Sequence, residues 1–196
     1  EQNMRHRLTE ALCDYHETYP YRYGMKKAEI HMTYMKKVKL NVFDLYVEML
    51  SEEGALKRHQ EFLQLPEFEV RKDAVYEKVL KTVQKQFEKA QFDFQRFSEF
   101  SFGNIKREEV EDIMLLLIDE DIVVKITEDI YTLKSIIEKA KEVIQNRLKE
   151  NPLITIAEVR DLLGTSRKSA KPILEYMDSI RVTKKNGTES ERVAYV

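Results

Sequence analysis

Apolar residues along this chain recur mostly at spacings of three and four, which predicts helices broken by short alternating runs. Over residues 4–19 the pattern puts Leu8, Ala11, Leu12, Tyr15 and Tyr19 on one helical face, and Pro20 stops that helix. A short extended link at 21–25 leads to a second helix over 26–35. A third helix is expected to be capped by Asn41, to turn Phe43, Leu45, Tyr46, Met49 and Leu50 inward, and to end at Gly54. Brief strands at 55–58 and 61–65 follow. The next stretch opens with a long helix over 72–90, in which Val75, Val79, Leu80, Val83 and Phe87 keep helical spacing. Residues 92–94 alternate like a strand, 96–102 read as a helix, Gly103-Asn104 as its turn, and 106–119 as a helix with Val110, Ile113, Met114 and Leu117 inward. Strands at 122–126 and 130–133 then flank a Thr127-Glu128-Asp129 wing. The last stretch runs through a helix over 135–150, a break at Asn151-Pro152, a short helix over 157–163 and a turn at Gly164. It closes with a helix bearing Ala170, Ile173, Leu174 and Met177, and strands at 181–185 and 191–196 around Asn186-Gly187.

The same order of helices, turn, short strand, polar wing and closing strand thus appears three times. The corresponding turns near Gly54, Asp121 and Arg181 lie about 60 to 70 residues apart, the self-similarity of tandem modules. The expected fold is mainly α with small β wings (α+β): a tandem array of three winged-helix modules over 1–70, 71–134 and 135–196. No Ser-, Gly- or Pro-rich linker separates them, so the modules are expected to pack closely.

Charge changes this picture only locally. Lys and Arg number 33 against 35 Asp and Glu, a net charge of -2 that exerts no global pull on nucleic acid. Residues 151–196 hold eight Lys and Arg against six Asp and Glu, so the excess of cations sits at one end. The single cysteine, Cys13, rules out an internal disulfide framework and fits a reducing compartment, with the cytoplasm expected. No apolar run reaches membrane-span length, no signal-peptide core opens the chain, and a soluble, monomeric piece is expected.

The chemistry concentrates where the last helix begins. Thr165 or Ser166 is placed to cap its first N–H groups, the helix dipole is positive there, and Arg167, Lys168 and Lys171 add formal charge, a combination suited to phosphate. Arg181, Lys184, Lys185 and Arg192, on or beside the wing, are expected to bring a second set of cations near that helix start. The middle module's corresponding helix opens with Glu108, Glu109, Glu111 and Asp112, which repel phosphate, so that module reads as a spacer. Lys36, Lys37 and Lys39 of the first module read as a solvated face. The series Phe87, Phe92, Phe94, Phe97, Phe100 and Phe102 reads as core. Cys13 and His16 make at most half a metal site, with Cys13 taken as core, and no nucleophile and base pair emerges.

One stretch carries a resemblance. The run 156–184, IAEVRDLLGTSRKSAKPILEYMDSIRVTK, resembles the last winged-helix module of the bacterial selenocysteine-specific elongation factor family, SelB; residues 157–168 and 174–178 are its most family-like parts. The resemblance implies a translation factor whose winged-helix array binds a selenocysteine insertion (SECIS) hairpin in messenger RNA and tethers selenocysteyl-tRNA at a recoded UGA codon on the ribosome. It further implies that GTP and Mg belong to an N-terminal part. This chain has no GxxxxGK[ST] nucleotide loop, so no catalysis and no cofactor are expected in it. The Thr165 to Lys171 corner and the four wing cations would then be the RNA contacts. A winged-helix DNA-binding regulator and a protein-interaction array are the alternatives.

Overall fold

The computed structural model describes residues 2–195, which form two compact units divided between Tyr76 and Glu77. The expected division after residue 70 therefore lies a few residues before the observed one, and the expected modules 71–134 and 135–196 lie almost entirely within one unit.

In the first unit, helix α1 (Gln2–Thr18) buries Leu8, Ala11 and Leu12 and ends before Pro20, as the spacing requires. Strand β1 (Met25–Lys26), helices α2 (Lys27–Tyr34) and α3 (Leu40–Glu52), and strands β2 (Lys57–His59) and β3 (Phe62–Gln64) complete it. The antiparallel sheet has the order β1-β3-β2, with Leu63 opposite both Met25 and Arg58. Phe43, Tyr46, Val47 and Leu50 of α3 close on Leu8, Leu12, Ile30 and Leu63 to make the core. At Gly24 the backbones approach so closely that a Cβ would lie 2.0 Å from the Leu63 carbonyl oxygen. Two expectations are corrected here. Helix α3 begins at Leu40 after Lys39, so Asn41 lies inside it and caps nothing. Cys13 is exposed, one residue past the buried side of α1, while His16 is the buried member of that pair.

Helix α4 (Ala74–Ala90) crosses the division and leads into the second unit. There a 3-10 turn (Phe97–Glu99), α5 (Arg107–Asp119) and the hairpin β4 (Val123–Thr127) with β5 (Ile130–Leu133) precede α6 (Lys134–Glu150). Strand β6 (Ile154–Thr155), α7 (Ile156–Leu163), α8 (Arg167–Ser179), β7 (Thr183–Lys185) and β8 (Glu191–Ala194) follow, with sheet order β6-β8-β7. The middle sheet has only β4 and β5. The strand expected at 92–94 does not form because its polar backbone goes elsewhere: the Phe94 N–H donates to Ser169 Oγ at 2.9 Å, and the Phe92 carbonyl accepts from the Thr165 hydroxyl at 2.6 Å. The helix expected at 96–102 is reduced to that 3-10 turn, tied down by Phe97 N–H to the Asp129 carbonyl at 2.8 Å. Phe94 and Phe92 pack into the core of Ile154, Val159, Leu163, Ala170, Ile173, Leu174 and Met177. This shared core explains why 77–196 coheres as one unit. Phe87, Phe94, Phe97 and Phe102 are buried as core residues.

The three turns that close the wings' leading helices share one conformation. Gly54, Asp121 and Arg181 have φ of 71°, 60° and 58° respectively, the left-handed region that ends helices.

Candidate nucleic-acid interface

The cationic corner is built from the sequence upward by its caps. Thr155 caps α7: its hydroxyl oxygen accepts from the Glu158 N–H at 3.2 Å, and the Glu158 carboxylate accepts from the Thr155 N–H at 2.9 Å. Arg147 of α6 donates to the same carboxylate at 2.6 Å. Burial pushes the Glu158 carboxyl up, but these donors outweigh it and hold the group below its ordinary range. Gly164, at φ 61°, ends α7, and α8 begins immediately beyond the turn.

The hydroxyls at that turn do not cap α8. Thr165 donates to the Phe92 carbonyl, Ser166 donates to Asp93 Oδ1 at 3.2 Å, and the buried Ser169 accepts from Phe94 N–H. Ser166 makes no side-chain cap bond, which corrects the expectation for this pair. Their work is to anchor the 92–94 segment against the start of α8. The segment expected to belong to a spacer therefore positions the corner and places one carboxylate, Asp93, beside it. Pro172 lies within α8 and lacks the N–H that would pair with the Lys168 carbonyl, leaving that oxygen outside the helical ladder. Arg167, Lys168 and Lys171 are exposed.

The eight cations of 151–196 separate by their partners. Arg160 pairs with Asp161 at 2.7 Å, Lys171 with Glu175 at 3.7 Å, Lys185 with Glu189 at 2.6 Å and Arg192 with Asp178 at 2.7 Å. Among the described residues, Arg167, Lys168, Arg181 and Lys184 are the four left without a carboxylate partner. Arg192 is the clearest departure from expectation. It lies on the central strand of its sheet and is 1% exposed, with Nε bonded to Asp178 and Nη1 to the carbonyls of Glu189 and Glu191 at 2.9 and 3.1 Å. Its guanidinium holds the wing together instead of facing outward.

Arg181 also lies elsewhere than expected. It follows the C-terminal end of α8, about 18 Å along the axis from Arg167, so it does not join the helix start. Arg181 and Lys184 instead flank the ring of Tyr195, with Cζ and Nζ 5.9 and 5.8 Å from its centroid. Tyr195 escaped the sequence reading. The available signal was its place as an aromatic near the end of the closing strand, but strand parity alone does not say which face is open.

The other two modules differ at the corresponding place. Glu109 of α5 reaches back to the Lys106 N–H at 3.4 Å and Arg107 pairs with Glu111 at 2.9 Å, so that helix start is acidic and internally paired. Lys36, Lys37 and Lys39 are exposed before α3. Among the described residues no group of three or more His, Cys, Asp or Glu is placed to hold a metal ion.

Comparison with known proteins bears on the fold. Two stretches, residues 9–65 and 146–190, match winged-helix models described as elongation factor SelB, and together they make up just over half of the chain. A selenocysteine-specific elongation factor from Desulfomicrobium baculatum is 23% identical over 183 residues, covering 93% of this chain and 29% of that protein. The chain thus spans less than a third of that curated relative. The mRNA-binding domain of E. coli elongation factor SelB, solved in complex with SECIS RNA, is similar in fold at a TM-score of 0.53 and 19% identity, over 64% of this chain and 100% of that one. The crystal structure of a bacterial selenocysteine-specific elongation factor, EF-Sec, matches at a TM-score of 0.53 and 19% identity, over 98% of this chain and 29% of that one.

Proposed function

The chain belongs to the winged-helix family of elongation factor SelB, and from that premise we propose that it binds a SECIS-type mRNA hairpin through the start of α8. The observation that carries the reading is the exposed Arg167 and Lys168 pair, free of carboxylate partners, at the positive end of a helix dipole.

An A-form stem has a major groove too deep and narrow for a helix, so α8 does not enter it as it would enter DNA. Its first turn grips phosphates, and specificity comes from unstacked bases in a bulge or loop. Lys168 is a point charge for phosphate, whereas the planar guanidinium of Arg167 can stack on or bond to a base. The chain acts by binding, without catalysis or a cofactor of its own, in the cytoplasm. GTP and selenocysteyl-tRNA are assigned to the remainder of a full-length factor, which the hairpin tethers near one codon of the ribosome-bound message. The gain is in local concentration.

Filter binding across a salt series tests this with a bulged RNA hairpin, its fully paired version and a DNA duplex of equal length. Arg167→Ala is expected to cost about 1–3 kcal/mol and relax specificity, and Lys168→Ala to lower the salt slope by about one unit. Equal affinity for the DNA duplex, or unchanged binding by both variants, removes the reading.

A further inference from the structure

We propose that the far end of α8 carries a second RNA contact: a platform on which Tyr195 stacks one unpaired nucleotide while Arg181 and Lys184 hold its backbone. The partner rests on the hairpin reading, but the site rests on its own observations. Tyr195 is 47% exposed, and its N–H bonds the Val182 carbonyl at 3.0 Å, so the ring is held on the end of the wing sheet. Beside it runs a groove of about 360 Å³, bounded by Gln145, Leu148 and Lys149 of α6 and by Val182 and Ala194. Among the described residues no carboxylate lines this groove, in contrast to the α8 start, where Asp93 stands at the corner. Lys149 lies along it with its amine on Asn146 Oδ1 at 3.2 Å, so two cations, Lys149 and Arg181, and the Tyr195 ring share one depression, with Lys184 outside it and 5.8 Å from the ring centroid.

That combination fits single-stranded nucleic acid. Any base offers a π-face to a tyrosine, and Arg181 and Lys184, which stand over the ring at 5.9 and 5.8 Å from its centroid, move onto the phosphates of the same strand when the base takes their place. A base inside a stem has both faces covered and cannot use the platform, and the bulge or loop bases are assigned to the Arg167 corner about 18 Å away, so the occupant is an unpaired nucleotide of the strand that leaves the stem. The spacing along α8, about 18 Å, is roughly the rise of five stacked nucleotides, so one transcript can reach both ends of the helix. Arg181 reinforces the assignment. It occupies a left-handed turn at φ 58° where the first unit uses Gly54, a position that disfavours an L side chain, and it makes no ion pair among the described residues.

The test is fluorescence anisotropy on the full chain. The probes are labelled RNAs: a bulged hairpin with blunt ends, the same hairpin with an unpaired tail of about eight uridines, and that tail alone. The tail is expected to tighten hairpin binding by about fivefold to a hundredfold, the range for one base–aromatic stack. Tyr195→Ala and Arg181→Gly should each erase the tail's gain and leave blunt-hairpin affinity unchanged, whereas Arg167→Ala should weaken the blunt hairpin and leave the gain intact. Glycine suits the left-handed turn, so Arg181→Gly should melt no lower than the unaltered chain, separating lost contact from lost fold. No gain from the tail, or a gain that survives Tyr195→Ala, overturns the platform. If the blunt hairpin fails to bind at all, the hairpin reading falls, and the tail alone decides the platform: saturable, Tyr195-dependent binding upholds it and its absence overturns it.

Discussion

Replacing Arg192 by alanine should unfold the last wing, and the size of the effect follows from its contacts. The guanidinium is 1% exposed and makes three hydrogen bonds, to Asp178 Oδ2 at 2.7 Å and to the carbonyls of Glu189 and Glu191. Arg192→Ala leaves the Asp178 carboxylate with the Thr183 hydroxyl, at 2.7 Å, as its remaining side-chain donor. Removing one partner of a buried pair costs about 3–5 kcal/mol. The Asp178 side chain retains 22% exposure, so water can partly replace the lost charge and the lower end applies, about 3 kcal/mol. For a chain of this size that is roughly 6–12 °C in melting temperature. Calorimetry should show it in the transition of the second unit, and hydrogen exchange should localise it to the wing, where the Asn186 N–H bonds the Glu191 carbonyl at 3.1 Å. The double substitution Arg192→Met with Asp178→Leu should recover most of the loss, because it removes both charges at once. A single Arg192→Ala variant that melts within about 0.5 kcal/mol of the unaltered chain would refute this account of the wing.

Three further outcomes follow from other contacts. Ser169→Ala strands the buried Phe94 N–H, so it should cost about 1–3 kcal/mol and speed exchange of that one amide; a protected Phe94 amide would contradict the anchoring of 92–94 to α8. Gly24→Ala would push a methyl into the Leu63 carbonyl, so the first unit should lose its β1–β3 pairing, and a variant with wild-type melting would show the close approach to be wrong. His16 is stacked on Phe68, accepts from the Leu65 N–H at 3.2 Å, and is lowered by burial from 6.5 to about 4. Between those two values the unfolded chain takes up a proton that the folded chain refuses, so the first unit should lose stability as pH falls through that window and keep it above. Urea midpoints against pH should show a slope there that His16→Gln removes; a slope that persists in the variant belongs to other groups.

Hydropathy spacing by itself determined the long helices, because each must bury one stripe of a 3.6-residue repeat, as Leu8 with Leu12 and Ile173 with Met177 do; the short helix expected at 96–102 shrank to a 3-10 turn. The recurrence of three turns at Gly54, Asp121 and Arg181 was legible in the sequence too, though not their left-handed conformation, and the family showed as a resemblance in the residue identities of the 156–184 run. Short segments were a different matter. Whether 92–94 is a strand depended on hydroxyls some 70 residues away that outcompete a ladder for its N–H and C=O groups, and no local pattern contains that information. The same limit decided the charges. A cation is written identically in a sequence whether it is neutralised, buried or open, and only the packed wing sorted Arg192 and Lys185 from Arg167, Lys168, Arg181 and Lys184. Local periodicity decides which faces are apolar; the partner each polar group finds is settled by chain closure over long separations, and the candidate interface is made of what that closure leaves unpaired.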